Sequence, residues 1–114
     1  MKVRGTEFDV DDYVLEPLVA NLAKRAATID EKERVLLQAA YLLFMITFRQ
    51  PFLDGNKTTA FVLTKILLKK KGLDLPAATI VQKQEMFDLL NDVMYGQRGY
   101  DEVEKFVRKR VISL

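Results

Sequence analysis

Between Val35 and Phe48 the chain reads VLLQAAYLLFMITF, without one charged residue, and Pro51 follows closely. That pairing constrains the fold more than any other feature. Leu36, Ala39, Ala40, Leu43, Phe44 and Thr47 recur at helical spacing, so the run predicts a buried helix at the centre of the molecule. Proline cannot donate a backbone hydrogen bond and disfavours helical geometry in the residue before it, which ends the helix at Gln50. The run is also too short to cross a bilayer, which takes about 20 residues.

A tight loop must follow. Phe52 and Leu53 are apolar in its middle, so at least one of them is expected to pin it to the core. Asp54, Gly55 and Asn56 form a turn, and Asn56 or Asp54 is expected to cap a second helix whose apolar residues are Ala60, Leu63, Ile66 and Leu67. A helix start behind a glycine offers unpaired N–H groups and the positive end of the dipole, which favour an anion and phosphate above all. Lys57 adds a full positive charge there, and Asp54 can hold a magnesium ion that bridges phosphate oxygens. The plainer alternative is a turn with a cap and nothing more.

The stretch QPFLDGNKTTA resembles the signature of the Fic/Doc family, roughly H-x-F-x-D/N-G/A-N-K/G-R, with Pro51, Phe52, Asp54, Gly55, Asn56 and Lys57 at matching positions. Lysine after the asparagine is similar to the Doc branch. The resemblance runs from Glu33 to Leu75 and more weakly beyond. It implies an all-α fold and transfer of a phosphoryl or nucleotidyl group from a nucleoside triphosphate, with Mg2+, to a protein hydroxyl. In that frame Gly55, Asn56, Lys57 and Thr58 face the phosphates, Phe52 anchors the motif and Asp54 holds magnesium. Two positions depart from the pattern. The family histidine, a general base, falls at Gln50, and the phosphate-binding arginine falls at Thr58; a second arginine common in the family falls at Phe61. Glutamine cannot take a proton, and a positioned acid-base group typically contributes about 10²–10⁴ in rate.

Composition narrows the remaining chemistry. A chain of 114 residues is expected to form one domain over 1–114. Cysteine and histidine are both absent, which removes disulfides, thiolate nucleophiles, the usual zinc sites and the Ser-His-Asp arrangement. Met1 to Asp12 is polar and acidic, unlike a signal peptide, so the expected location is the cytoplasm, with no membrane partner. A net charge of +2 is too small to imply a nucleic-acid partner by itself. Basic residues do cluster at Lys65 and Lys69 to Lys71, and at Arg108 to Arg110, where they complement helix C-termini.

The rest of the chain reads as helices. Met1 to Asp9 is a lead without a clear period. Val14, Leu15, Leu18, Val19 and Leu22 trace a stripe over a helix from Val10 to Arg25 that contains Pro17. Asp30 with Glu33 reads as a capping box before the central helix. Gly72 stops the second core helix, and Leu73 to Pro76 must be extended or a turn. Thr79 with Gln82 caps a helix carrying Met86, Phe87, Leu90, Val93 and Met94. Gly96 to Gly99 breaks it, and Asp101 to Ile112 forms the last helix, with Val103, Phe106, Val107, Arg110 and Val111 on one side. The sum is a bundle of about five to six helices with no convincing strand. Tyr95 and Tyr100 are expected to be exposed, leaving room for self-association.

Three functions follow from these readings. The first is a Doc-like protein of a toxin-antitoxin type system, a transferase whose activity is impaired because Gln50 replaces the base; its partners are a protein substrate and an antitoxin peptide or protein. The second is a catalytically inactive member of the same fold, which binds a nucleotide or a partner protein. The third, a basic nucleic-acid module, rests only on the lysine cluster and lacks interleaved aromatics or a motif.

Overall fold

In the computed structural model, residues 9–50 and 55–114 are described, with side chains from Glu16 onward in the first helix. The central helix, α2 (Glu31–Arg49), forms where the uncharged run predicts it, and Val35, Leu36, Leu37, Ala39, Ala40, Leu43, Phe44 and Thr47 are all buried. Asp30 caps it by accepting a hydrogen bond from the Glu33 amide at 2.9 Å. The Glu33 carboxylate does not complete a capping box; it accepts from Arg108 at 2.5 Å instead, because an ion pair with another helix outcompetes a local bond. At its other end α2 closes on Gln50, which adopts the left-handed conformation with φ 48° and donates its backbone N–H to the Ile46 carbonyl. The proline that follows explains why the chain leaves the helix there.

Four further helices surround this one: α1 (Asp9–Ala26), α3 (Asn56–Lys70), α4 (Ile80–Met94) and α5 (Tyr100–Arg110). Helices α1, α3, α4 and α5 all pack on α2, and α3 also touches α4. One buried cluster joins them, with Leu43, Leu68, Leu75, Leu90, Val93, Val103 and Val107 among its fully buried members. Leu18 and Leu22 of α1 pack against its edge. Val14 and Leu15, like the lead from Met1, lie outside the described side chains. Thr79 and Gln82 form the complete capping box of α4 expected from sequence.

The all-α class holds, with five helices and one small addition among the described residues. Leu73 and Asp74 form a two-residue strand, β1, paired antiparallel with β2 (Ile112–Ser113). The last helix therefore ends at Arg110 rather than Ile112, since the chain straightens to meet the extended segment after Gly72. Gly72 has φ 77°, a conformation that a side chain would strain.

Helix α3 is turned differently from its apolar pattern. Ala60 and Leu68 are buried and Leu67 is half-buried, but Leu63 is 40% and Ile66 47% exposed. The face toward α2 is instead Asn56, Ala60, Thr64 and Leu68, a run of small and polar side chains with one leucine at its end. A central helix crowded with Leu and Phe leaves room for small residues opposite it, and packing density decides the phase. Tyr100 also departs from expectation: it is buried, with its hydroxyl donating to the Leu37 carbonyl at 3.4 Å, whereas Tyr95 is 69% exposed.

The basic clusters do more than complement helix dipoles. Lys65 pairs with Asp74 at 3.1 Å and donates to the Leu75 carbonyl at 3.3 Å. Arg108 bridges Glu33 and Glu104, and Arg110 pairs with Glu85. Among the described residues no helix is long and apolar enough to cross a membrane.

Candidate functional site

The motif joins α2 to α3. Of its residues, Gln50 and Gly55 to Thr58 are described; Pro51, Phe52, Leu53 and Asp54 lie outside the described residues, and with them the expected aromatic anchor and magnesium ligand. Gly55 is the N-cap of α3, with φ 71° in the left-handed region, where glycine carries no steric penalty. Asn56 is thus not the cap. It occupies the first helical position and is buried, while Lys57 is half-buried and Thr58 exposed. The first hydrogen bond of the helix runs from the Thr59 amide to the Gly55 carbonyl at 2.8 Å. The N–H groups that precede it in an α-helix have no intrahelical acceptor.

The described helix starts differ in the side chains they carry. Among α2 to α5, α2 has the Asp30 cap with Glu31 and Glu33, α4 has Thr79, and α5 has Asp101 and Glu102 in its first turn. Helix α3 has a glycine cap with no side chain. No acidic side chain lies within its first turn, and Lys57 adds a positive charge there.

Both ends of the motif are tied to the same turn of α4. The Gln50 Nε2 donates to the Met94 carbonyl at 3.4 Å, and the Lys57 Nζ donates to Asn91 Oδ1 at 3.3 Å. The Met94 carbonyl lies in the last turn of α4, where carbonyls have no intrahelical donor, so it is free to accept a side chain. The negative end of the α4 dipole also favours the Lys57 ammonium. Sequence reasoning missed Asn91 and Met94, because nothing in the pattern of α4 separates them from other half-buried positions.

A profile of the Fic/DOC family matches residues 7–68, more than half of the chain. The chain belongs to the Fic/DOC family. The match reaches further toward the N-terminus than the Glu33 boundary of the resemblance and takes in α1, while α4 and α5 lie beyond it. No curated protein and no solved structure gives a match.

A cleft of about 440 Å3 is lined by Leu18, Phe44, Phe48, Tyr100 and the loop from Gly96 to Gly99, and none of the described motif residues lines it. Phe44 stacks between Phe48 and Tyr100, with ring centroids 5.2 and 6.0 Å apart. Behind this wall a charged network joins three helices. Arg25 of α1 donates two hydrogen bonds to Glu104 of α5, Arg108 donates a third at 2.8 Å, and Arg108 reaches Glu33 of α2. These bonds hold the Glu104 carboxyl down to about 2, with the Arg25 bonds the largest cause. Burial, then the Glu104 charge, pushes the Tyr100 phenol up, so it stays protonated. From sequence, Glu33 reads as a cap and Arg108 as a helix-end cation, and the network that joins them to Glu104 and Arg25 is not legible. Its one signal is Glu104 itself, a carboxylate beside Val103 on the apolar face of α5.

Among the described residues no group of three or more histidine, cysteine, aspartate or glutamate side chains comes together to hold a metal ion. The described part of the motif fits phosphate: amide donors, a helix dipole and an ammonium, with no carboxylate in the first turn of α3.

Proposed function

We propose that this chain is a Doc-like, cytoplasmic member of the family that binds the phosphates of a nucleoside triphosphate at the start of α3 and transfers from it only slowly. One observation carries the reading: the glycine-capped first turn of α3, with Lys57 and no carboxylate, lies within the segment that the family profile matches. Asn56, Lys57 and Thr58 contribute the donors and the charge. Asp54 would hold a magnesium ion together with the phosphates, and such an ion would supply further charge neutralisation. Phosphoryl transfer depends largely on positioning and electrostatics, so a site without a base retains some rate. The acceptor is a protein hydroxyl, Gln50 orients it, and an antitoxin protein is the expected controlling partner.

A second reading is favoured by the Gln50 side chain. Its amide donates to the Met94 carbonyl, which is a structural use of the position where the family carries its base. On that reading the chain is an inactive module that retains the loop for nucleotide or protein binding.

Titration calorimetry with ATP and magnesium, run on the wild type and on Lys57→Ala, tests the first reading. Saturable binding weakened in the variant supports the phosphate cradle. Absence of binding at millimolar nucleotide leaves the motif as architecture and supports partner binding alone.

A further inference from the structure

The turn of α4 that meets the motif has a chemical bias. Helix α4 carries three carboxylates, and each is engaged away from Lys57: Glu85 with Arg110, Asp88 with the Gln84 amide at 2.8 Å, and Asp92 with Arg98 at 2.9 Å. The group that does meet the Lys57 ammonium is the neutral amide oxygen of Asn91, at 3.3 Å. An amide oxygen orients an ammonium without cancelling its charge. A carboxylate in the same place would form an ion pair and withdraw that charge from any anion at the start of α3.

We propose that Asn91 is a positioning residue for the motif: it holds the Lys57 ammonium beside the first turn of α3 while leaving its charge available to a bound polyphosphate. The inference rests on the phosphate-binding reading of the motif and adds a residue from outside the family-matched segment. With Met94 it makes one turn of α4 the support for both Gln50 and Lys57. Asn91 does not touch the reacting groups; it acts through Lys57.

The test is binding of inorganic tripolyphosphate, measured by calorimetry, to the wild type, Asn91→Asp, Asn91→Ala, Lys57→Ala and the double variant Asn91→Asp/Lys57→Ala, with thermal melts of each. Asn91→Asp is expected to weaken binding about tenfold, the scale of a lost charge-assisted hydrogen bond, with its melting temperature near that of the wild type. Asn91→Ala is expected to weaken binding less, since Lys57 keeps its charge and loses only its orientation. Added to Lys57→Ala, the aspartate is expected to change binding less than twofold, because the charge it would neutralise is gone. Wild-type affinity in Asn91→Asp, or an equal loss in both backgrounds, would overturn the inference and leave the cradle standing. A wild type that does not bind tripolyphosphate at millimolar concentration would remove the cradle reading and this inference together.

Discussion

Arg25 and Glu104, 79 positions apart in the chain, meet in a two-pronged pair, with guanidinium nitrogens 2.8 and 2.7 Å from the two carboxylate oxygens. This geometry is the stronger form of the ion pair, since the planar fork of arginine matches both oxygens at once. It ties α1 to α5, and Arg108 carries the connection to Glu33 on α2.

The pair makes stability depend on acid. Glu104 has its pKa lowered from an ordinary 4.5 to about 2, so its ionised form favours the folded state. Its contribution is complete above pH 4.5 and is lost as the pH falls from there through 2. The shift corresponds to an upper figure of about 3 kcal/mol, reduced because Arg25 is 39% exposed to screening solvent. Urea midpoints measured from pH 7 to pH 2 should fall in that window, and Glu104→Gln should flatten the dependence while lowering the midpoint at neutral pH. A wild type and variant with parallel pH curves would contradict the assignment.

The phase of α3 predicts two unequal leucine-class substitutions. Leu68 is fully buried, so Leu68→Ala should cost about 2–5 kcal/mol. Ile66 is nearly half exposed, and Ile66→Ala should cost under about 1 kcal/mol. Chemical denaturation of both variants checks this, and the reverse ranking would mean that the apolar pattern, rather than the small residues, faces α2.

Two core threonines are also informative. The hydroxyls of Thr47 and Thr64 are buried and have no hydrogen-bond partner among the described residues. Valine has the same branching without the polar atom, and an unsatisfied buried hydroxyl costs about 1–3 kcal/mol. Thr64→Val should therefore raise the denaturation midpoint, by an amount on the order of 1 kcal/mol in stability. A lower midpoint would show that the hydroxyl has a partner in solution.

Gln50→His tests whether the motif retains its chemistry. Histidine tolerates the left-handed conformation of this position better than most residues. One ring N–H can replace the glutamine amide as donor to the Met94 carbonyl, which leaves the other nitrogen to accept a proton. Combined with Thr58→Arg, the variant should turn over ATP faster than the wild type by about 10²–10⁴, with the rate rising as the imidazole deprotonates. Turnover that stays at the wild-type level would assign the chain to partner binding.

Much of the fold is legible in the sequence because local signals agree with the tertiary demand. The uncharged run of α2, its stop before Pro51 and the Thr79–Gln82 capping box are each set by chemistry within a few residues. What escapes the sequence is set between elements. The rotation of α3 depends on the bulk of α2, and the β1–β2 pairing needs Asp74 to meet Ile112 and Leu73 to meet Ser113, from distant parts of the chain. The burial of Tyr100 depends on Phe44 and on the Leu37 carbonyl. The same division runs through the site. The glycine turn and Lys57 are a local motif, whereas Asn91 and Met94 reach it only through folding.

The central position of α2 also orders the molecule in time. Every other helix packs on it, so its backbone hydrogen bonds in the middle, around Ala39 to Leu43, break only when those neighbours separate. Amide protons there should exchange with solvent only through global opening, over the longest times of any in the chain. Helix α1, which packs on α2 from one side with Leu18 and Leu22 half-buried, opens in smaller fluctuations and sets the fastest exchange among the helices.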